Sequence, residues 1–353
     1  MSGDQVFLTG ASGFLGGHVA LQLLQKGYRV LGSVRSPEKA EMARKAIALA
    51  RGDTSRLSFV TLDLLDGDGW GEAAAQCRFL IHTASPFVTV MPKNPDMLIR
   101  PAVDGTEHAL NAALRAGHKR IVLTSSVAAI DSAPLTYNKV YSESDWTDPD
   151  DKTVTAYAAS KTLAERAAWQ IMSRAGLAER LVTINPSAIL GPLLDRDPGT
   201  SPAMLLPMLT GKMPLAPEIR LEYADVRDVA AAHVAALSAP EAGGHRHIVS
   251  GPNLSLLEIA NFIREDFPEF AGQLPRRQMP GWMAALIAPF QPALRDAKPF
   301  LGVRKITDGG RGRALIGRDP YPVRETIRAT VTSMIRQGLV GDDQPSSLVA
   351  SSL

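Results

Sequence analysis

Gln5-Val6-Phe7-Leu8-Thr9-Gly10-Ala11-Ser12-Gly13-Phe14-Leu15-Gly16 is the stretch that decides the fold. A strand-like run enters three glycines spaced G-x-x-G-x-x-G, and Leu15, Val19, Leu23 and Leu24 then share one face of a helix that stops at Gly27. The triplet falls at the first strand-to-helix junction, which gives it more weight than its glycines alone. There Gly10 allows a tight turn, Gly13 lets backbone N–H groups approach a pyrophosphate, and Gly16 lets the helix pack closely on the sheet. Ser12, Phe14 and Leu15 complete the candidate cradle.

The rhythm continues outward from this junction. Strands are expected at Arg29–Val34, Leu57–Thr61, Phe79–His82, Arg120–Ser125 and Leu181–Asn185. Between them lie helices at Pro37–Ala50, weakly near Trp70, at Asp96–Ala116 and at Thr155–Ala175. Six alternating units predict an α/β fold with a doubly wound parallel sheet. After Asn185, prolines 186, 192, 198, 202, 207, 214 and 217 punctuate a loop-rich stretch, which places a boundary nearby. Helices return at Val226–Leu237, behind a Ser255/Glu258 capping box, and at Val323–Gln337. The expected division is a nucleotide-binding part over 1–185, rejoined by 220–250, and a smaller, mostly helical substrate part over 186–219 and 251–340. The Ser-rich end, 341–353, reads as a flexible tail.

Composition narrows the partners. The 353 residues carry 38 basic and 36 acidic side chains, so a net charge of +2 supplies no broad field for nucleic acid or an anionic membrane. The single Cys77 closes no intrachain disulfide, and no secretory leader or run of eighteen apolar residues is visible. A cytoplasmic protein, monomer or homodimer, with a small-molecule substrate and no metal, is the expectation.

Several side chains carry chemistry. No acidic residue ends the second strand; Arg35 stands there instead, with Lys39 one helical turn on, a pair suited to a 2′-phosphate and therefore to NADP. Asp63, followed by Leu64, is either an acceptor for an adenine amino group or a helix N-cap. His82 reads as a packed core histidine, while Thr83, Ala84 and Ser85 form a small-residue loop that passes close under a cofactor. Tyr157 and Lys161, four apart on a helix, share a face, where an ammonium would lower the phenol pKa for proton exchange with a carbonyl oxygen. Ser125 and Ser126 end the preceding strand and bring hydroxyls to the same edge; adjacent residues there point to opposite faces, so one serves the carbonyl and the other the sheet packing. Trp282, Met283, Leu286, Ile287 and Phe290 line an apolar pocket, dock a second copy or, on their helical spacing, pack in a core; core packing is the expectation.

Taken together, TGASGFLG, the serine after the fifth strand and YxxxK in this order resemble the extended short-chain dehydrogenases/reductases, Rossmann-type enzymes. GSVRSPEKA, HTASPF, VLTSSVAAI, YAASKTLAE, INPSAILGP and DVRDVAAAH look like the dihydroflavonol 4-reductase group, especially its NADPH-dependent methylglyoxal and carbonyl reductases. The resemblance implies a catalytic set of Ser126, Tyr157 and Lys161. It also implies that Arg35 and Lys39 meet the 2′-phosphate, and that Pro186 and Ser187 border the nicotinamide. The expected activity is NADP(H)-dependent reduction of an aldehyde or ketone, reversibly an alcohol oxidation. A hydroxysteroid dehydrogenase, a nucleotide-sugar epimerase or dehydratase, and a dinucleotide-sensing binding protein are the alternatives. Residues 196–217 and 273–305 match the group only loosely.

Overall fold

In a computed structural model, the described residues are 3–86, 94–132, 139–291, 294, 295, 297 and 300–341. The tail past Gly341 and Phe87 of the HTASPF segment lie outside them. The first strands fall where the pattern puts them: β1 (Gln5–Thr9), β2 (Arg29–Val34), β3 (Leu57–Thr61) and β4 (Phe79–His82). Next come β5 (Arg120–Thr124), one residue shorter than expected, and β6 (Leu181–Pro186), one longer. The helices are α1 (Phe14–Gln25), α2 (Pro37–Leu49), α3 (Trp70–Ala75), α4 (Asp96–Arg115) and α5 (Ala156–Arg174).

A seventh strand, β7 (His245–Val249), follows α6 (Val226–Ala236) and pairs parallel to β6. The sheet order is β7-β6-β5-β4-β1-β2-β3, wholly parallel. Hydropathy hides β7 because it is written His-Arg-His, yet Arg246 and His247 are buried and paired, Arg246 with Glu165 and His247 with the Ala242 carbonyl at 3.2 Å.

The sheet has two dry faces. Along β1, Val6 and Leu8 join Val19, Leu23, Val122, Val182 and Val229 on one side, while Phe7 meets Trp70, Leu80, Leu110, Leu123 and Met172 on the other. Both sides of a period-two strand are therefore apolar, as a sheet covered by helices on each face requires. The order reverses at β1, with β4 on one flank and β2 on the other, and the crevice at that switch lies at the carboxyl edge.

A second core gathers Leu190, Met208, Tyr223, Leu256, Ile259, Ile263, Ile327, Val331 and Met334. Its helices are α7 (Leu256–Asp266), opened by the expected capping box, and, beyond α8 (Gly310–Ile316), α9 (Val323–Arg336). The proline-punctuated stretch also builds a small sheet: Arg220–Asp225 pairs parallel with Ala188–Leu190 and antiparallel with Asn253–Ser255. Strands of three residues are too short for alternation to reveal them.

One expectation is corrected. In the helix Gly281–Ile287 and the turn after it, Trp282, Leu286 and Phe290 are 69%, 65% and 83% exposed, so they are not core. Their spacing of four does mark one helical face, but the buried one is formed by Ala284 and Ala288 with Leu294. Spacing locates a stripe without saying which way it points.

Candidate active site

The carboxyl edge of the sheet collects the expected residues. Gly10 has φ +68°, and a Cβ there would come within 2.9 Å of the Ala84 backbone; a Cβ on Gly16 would fall 2.0 Å from the Gly10 carbonyl. Only glycine satisfies both approaches. Gly13 precedes α1 with no side chain capping the helix, so the N–H groups of the first turn face an accessible cleft flanked by half-buried Ser12, Phe14 and Leu15. Thr9 ties this loop to its neighbour: Thr83 Oγ1 donates to the Thr9 carbonyl at 2.6 Å, the Ala84 N–H donates to Thr9 Oγ1 at 3.1 Å, and the same hydroxyl pairs with His82 Nδ1 at 2.8 Å. His82 is buried, and that burial, with the Lys161 charge adding to it, pulls its pKa down to about 3. A neutral packed histidine is what the structure holds. Ser85 follows, half-buried.

At the end of β2, Arg35 is exposed and Ser36 caps α2, its hydroxyl accepting from the Lys39 N–H. Lys39 Nζ lies 3.9 Å from the Asp197 carboxylate, both partly exposed, a contact too loose to occupy it. Asp63 is exposed and accepts from the Leu65 N–H at 2.9 Å, while α3 begins behind Gly69; the carboxylate caps a turn, and the helix N-cap alternative is set aside. Leu64 packs against Gly105 of α4, where a Cβ would come within 2.7 Å of it.

β5 delivers the serines. Ser125 continues the ladder, its N–H donating to the Ile184 carbonyl, and its hydroxyl donates at 2.5 Å to the Glu165 carboxylate. The serine turned to the sheet packing thus finds a carboxylate there. Ser126 points elsewhere: its Oγ accepts from the Ala128 N–H at 3.1 Å, which leaves the hydroxyl proton free to donate. Thr155 caps α5 by accepting from the Ala158 N–H, which brings Tyr157 into the first turn.

Tyr157 keeps 38% of its surface accessible along the cleft, yet burial of the remainder is the main influence on its phenol and raises the pKa, while the Ser126 hydroxyl draws it back. The expected depression by Lys161 is therefore not observed. Lys161 itself is buried, and burial pulls its ammonium down to about 8 against the opposing charge of Glu165. No described residue accepts a hydrogen bond from its Nζ. Pro186 closes β6, and Ser187 after it is buried with its Oγ unpartnered.

A glycine cradle that a Cβ would fill, an uncapped helix start, a lysine without an acceptor and an orphaned serine hydroxyl fit a dinucleotide whose phosphates, ribose and nicotinamide end each need such groups. A model of the NAD dependent epimerase/dehydratase family matches residues 6–251. The chain belongs to that family. Among its relatives, cinnamoyl-CoA reductase 1 of Petunia hybrida is 35% identical over 76% of this chain and 79% of its own length. The NADPH-dependent methylglyoxal reductase GRE2 of Saccharomyces cerevisiae is 32% identical over 76% and 84%. Among solved structures, yeast methylglyoxal/isovaleraldehyde reductase Gre2 complexed with NADPH superposes with a TM-score of 0.76 at 28% identity, over 94% of this chain and 98% of that one. The resemblance read from the motifs is thus borne out, and so is the Rossmann-type fold.

Sequence reasoning missed three residues of this region: Glu165, Asn185 and Arg246. Glu165 was signalled, since Tyr157, Lys161 and Glu165 recur every four residues along one face of α5. Arg246 was not, because its strand was not recognised.

Proposed function

We propose that this protein is an NADPH-dependent reductase of aldehydes or ketones, with Ser126, Tyr157 and Lys161 as its catalytic residues. The observation that carries the reading is their convergence: Ser126 acts on the Tyr157 phenol, and Lys161, one turn along, is buried with its ammonium close enough to His82 at the end of β4 to act on it and with no hydrogen-bond acceptor among the described residues. Bound NADPH supplies the hydride. Ser126 donates its free proton to the substrate carbonyl oxygen and orients it. Tyr157 Oη gives its proton to that oxygen as the carbonyl carbon is reduced. A phenol held above its ordinary range stays protonated at neutral pH, which suits a donor in the reductive direction. Lys161 also holds the ribose hydroxyls, Gly10, Ser12, Gly13, Phe14, Leu15 and Gly16 take the pyrophosphate, and Arg35 and Lys39 take the 2′-phosphate. Asp63, Leu64, Thr83, Ala84, Ser85, Pro186 and Ser187 border the remaining cofactor. Residues 186–219 and 251–340 supply the substrate side, and the substrate is a small carbonyl compound.

The test is Tyr157→Phe, which removes the proton and little contact area. NADPH oxidation with aldehydes and α-dicarbonyls should fall by roughly 100-fold or more, with NADPH binding by fluorescence titration nearly unchanged. Turnover near the wild-type rate would remove Tyr157 from the role of acid.

A further inference from the structure

Behind the three proposed catalytic residues lies a fourth charge that no step above uses. Glu165, two turns after Tyr157 on α5, is wholly buried and accepts from five side chains. Ser125 Oγ donates at 2.5 Å, Thr183 Oγ1 at 3.0 Å, Asn185 Nδ2 at 2.9 Å and Trp169 Nε1 at 3.3 Å. Arg246 makes a fork onto both carboxylate oxygens, Nε at 2.7 Å and Nη2 at 3.1 Å. The guanidinium lies over the Trp146 ring, 3.8 Å from its centroid, and also donates to the Glu143, Asp145 and Ala129 carbonyls.

A buried, forked ion pair with this many donors is costly to build and adds little net stability compared with apolar side chains of the same size. Two of its connections lead to the proposed site. Asn185 Nδ2 donates both to Glu165 and, at 3.2 Å, to the Ser126 carbonyl, so the backbone of the polarising serine is tied to the carboxylate through one side chain. Ser125, bonded directly to Glu165, holds the strand end in the orientation that turns Ser126 the other way. The second connection is charge, since Glu165 is one helical turn from Lys161.

We propose that Glu165, clamped by Arg246 from the edge strand, is a positioning residue of this site, aligning Ser126 through Asn185 and Ser125 and supplying the counter-charge of Lys161. The proposal rests on the reading of Ser126, Tyr157 and Lys161 given above. The division of labour is physical. Burial drives Lys161 toward its neutral form, and Glu165 is the group that opposes it. From β4, His82 faces the same ammonium but is kept neutral by burial. Tyr157, on the same helix, and Ser126, from the end of β5, are uncharged at neutral pH. Arg246 grips both carboxylate oxygens of Glu165 and so holds the group in place one helical turn from Lys161.

The test compares the pH dependence of kcat/KM for NADPH-driven carbonyl reduction, between pH 6 and 10, in the wild type, Tyr157→Phe, Glu165→Gln and Glu165→Gln/Arg246→Met. Removing the carboxylate charge should move the basic limb to lower pH by about one unit, while KM for the carbonyl changes less than kcat. The double variant leaves no unpaired guanidinium in place of the broken ion pair and covers the case in which Glu165→Gln alone does not fold. A purely structural role would lower the melting temperature and leave the limb where it is; coincidence of the limb in wild type and the folded Gln variant overturns the proposal. An active Tyr157→Phe instead overturns the reading of the site itself, so the two failures are distinguishable.

Discussion

Adjacent serines with opposite duties follow from the smallest geometric rule in the chain, the alternation of side chains at a strand end. Ser125 reaches a buried carboxylate and Ser126 turns to the Tyr157 phenol. Ser126→Ala should therefore cost roughly 100-fold in kcat, the scale of a deleted oxyanion donor, with little change in melting temperature. Ser125→Ala should chiefly cost stability, about 1–3 kcal/mol because buried Glu165 loses a donor, with a smaller loss of kcat as the alignment of Ser126 loosens. Measuring kcat and melting temperature for both variants decides this; a large kcat loss confined to Ser125→Ala would exchange the roles. The alternation was legible in the sequence. The partner of Ser125 was not, because a carboxylate forty residues away on a helix is brought beneath the strand only by the packing of α5 on the sheet.

For whole elements, the proposed choice of cofactor belongs to the β2–α2 junction. Strand β2 is followed by Arg35 rather than a carboxylate, and α2 begins at once behind its Ser36 cap, so Arg35 and Lys39 stand at the carboxyl end of the strand paired with β1, whose own end carries the glycine loop. A carboxylate there would accept from a ribose 2′-hydroxyl and repel a 2′-phosphate. Arg35→Asp is therefore expected to lower the kcat/KM ratio of NADPH to NADH by about tenfold or more, chiefly through KM for NADPH. Equal use of both cofactors by the wild type would sink the argument. Elements of five or more residues with clear periodicity were readable to within a residue or so, because both faces of each strand and one face of each helix are apolar. Strand β7 escaped because its burial is carried by paired polar side chains. The short strands near Ala188 and Asn253 escaped because three residues hold too little pattern.

Across the whole molecule, neutral histidines buried in its core tie stability to pH. Burial holds His18 at about 4, His82 at about 3 and His233 at about 4, all well below the ordinary value of 6.5. Their pairings with the Pro192 carbonyl, with Thr9, and with Thr124 and the Val229 carbonyl satisfy the neutral rings. Above pH 6.5 neither the folded nor the unfolded chain protonates these rings, and their packing is fully available. As pH falls from 6.5 toward 4, only the unfolded chain takes up the protons, so stability is lost across that window. Glu222 acts in the opposite sense: burial raises its carboxyl to about 7 against the Thr307 bonds that lower it, so the folded state binds that proton first and gains stability as pH falls from 7 toward 4.5. Among these four groups, three histidines against one carboxyl leave about two protons in favour of the unfolded chain near pH 5; burial also lowers His118 and His247 and raises Asp131, Asp195 and Asp228, which act in the same two opposed senses. At about 1.4 kcal/mol per proton per pH unit, the net loss is roughly 3 kcal/mol between pH 6 and 5. The melting temperature should fall steeply over that interval, and replacing His233, which reaches from α6 to Thr124 at the end of β5, by Gln should flatten the slope by about half even though it lowers stability at pH 7. A melting temperature that stays level or rises from pH 6 to 5 would show that carboxyls such as Glu222, rather than the buried imidazoles, govern the acid limb.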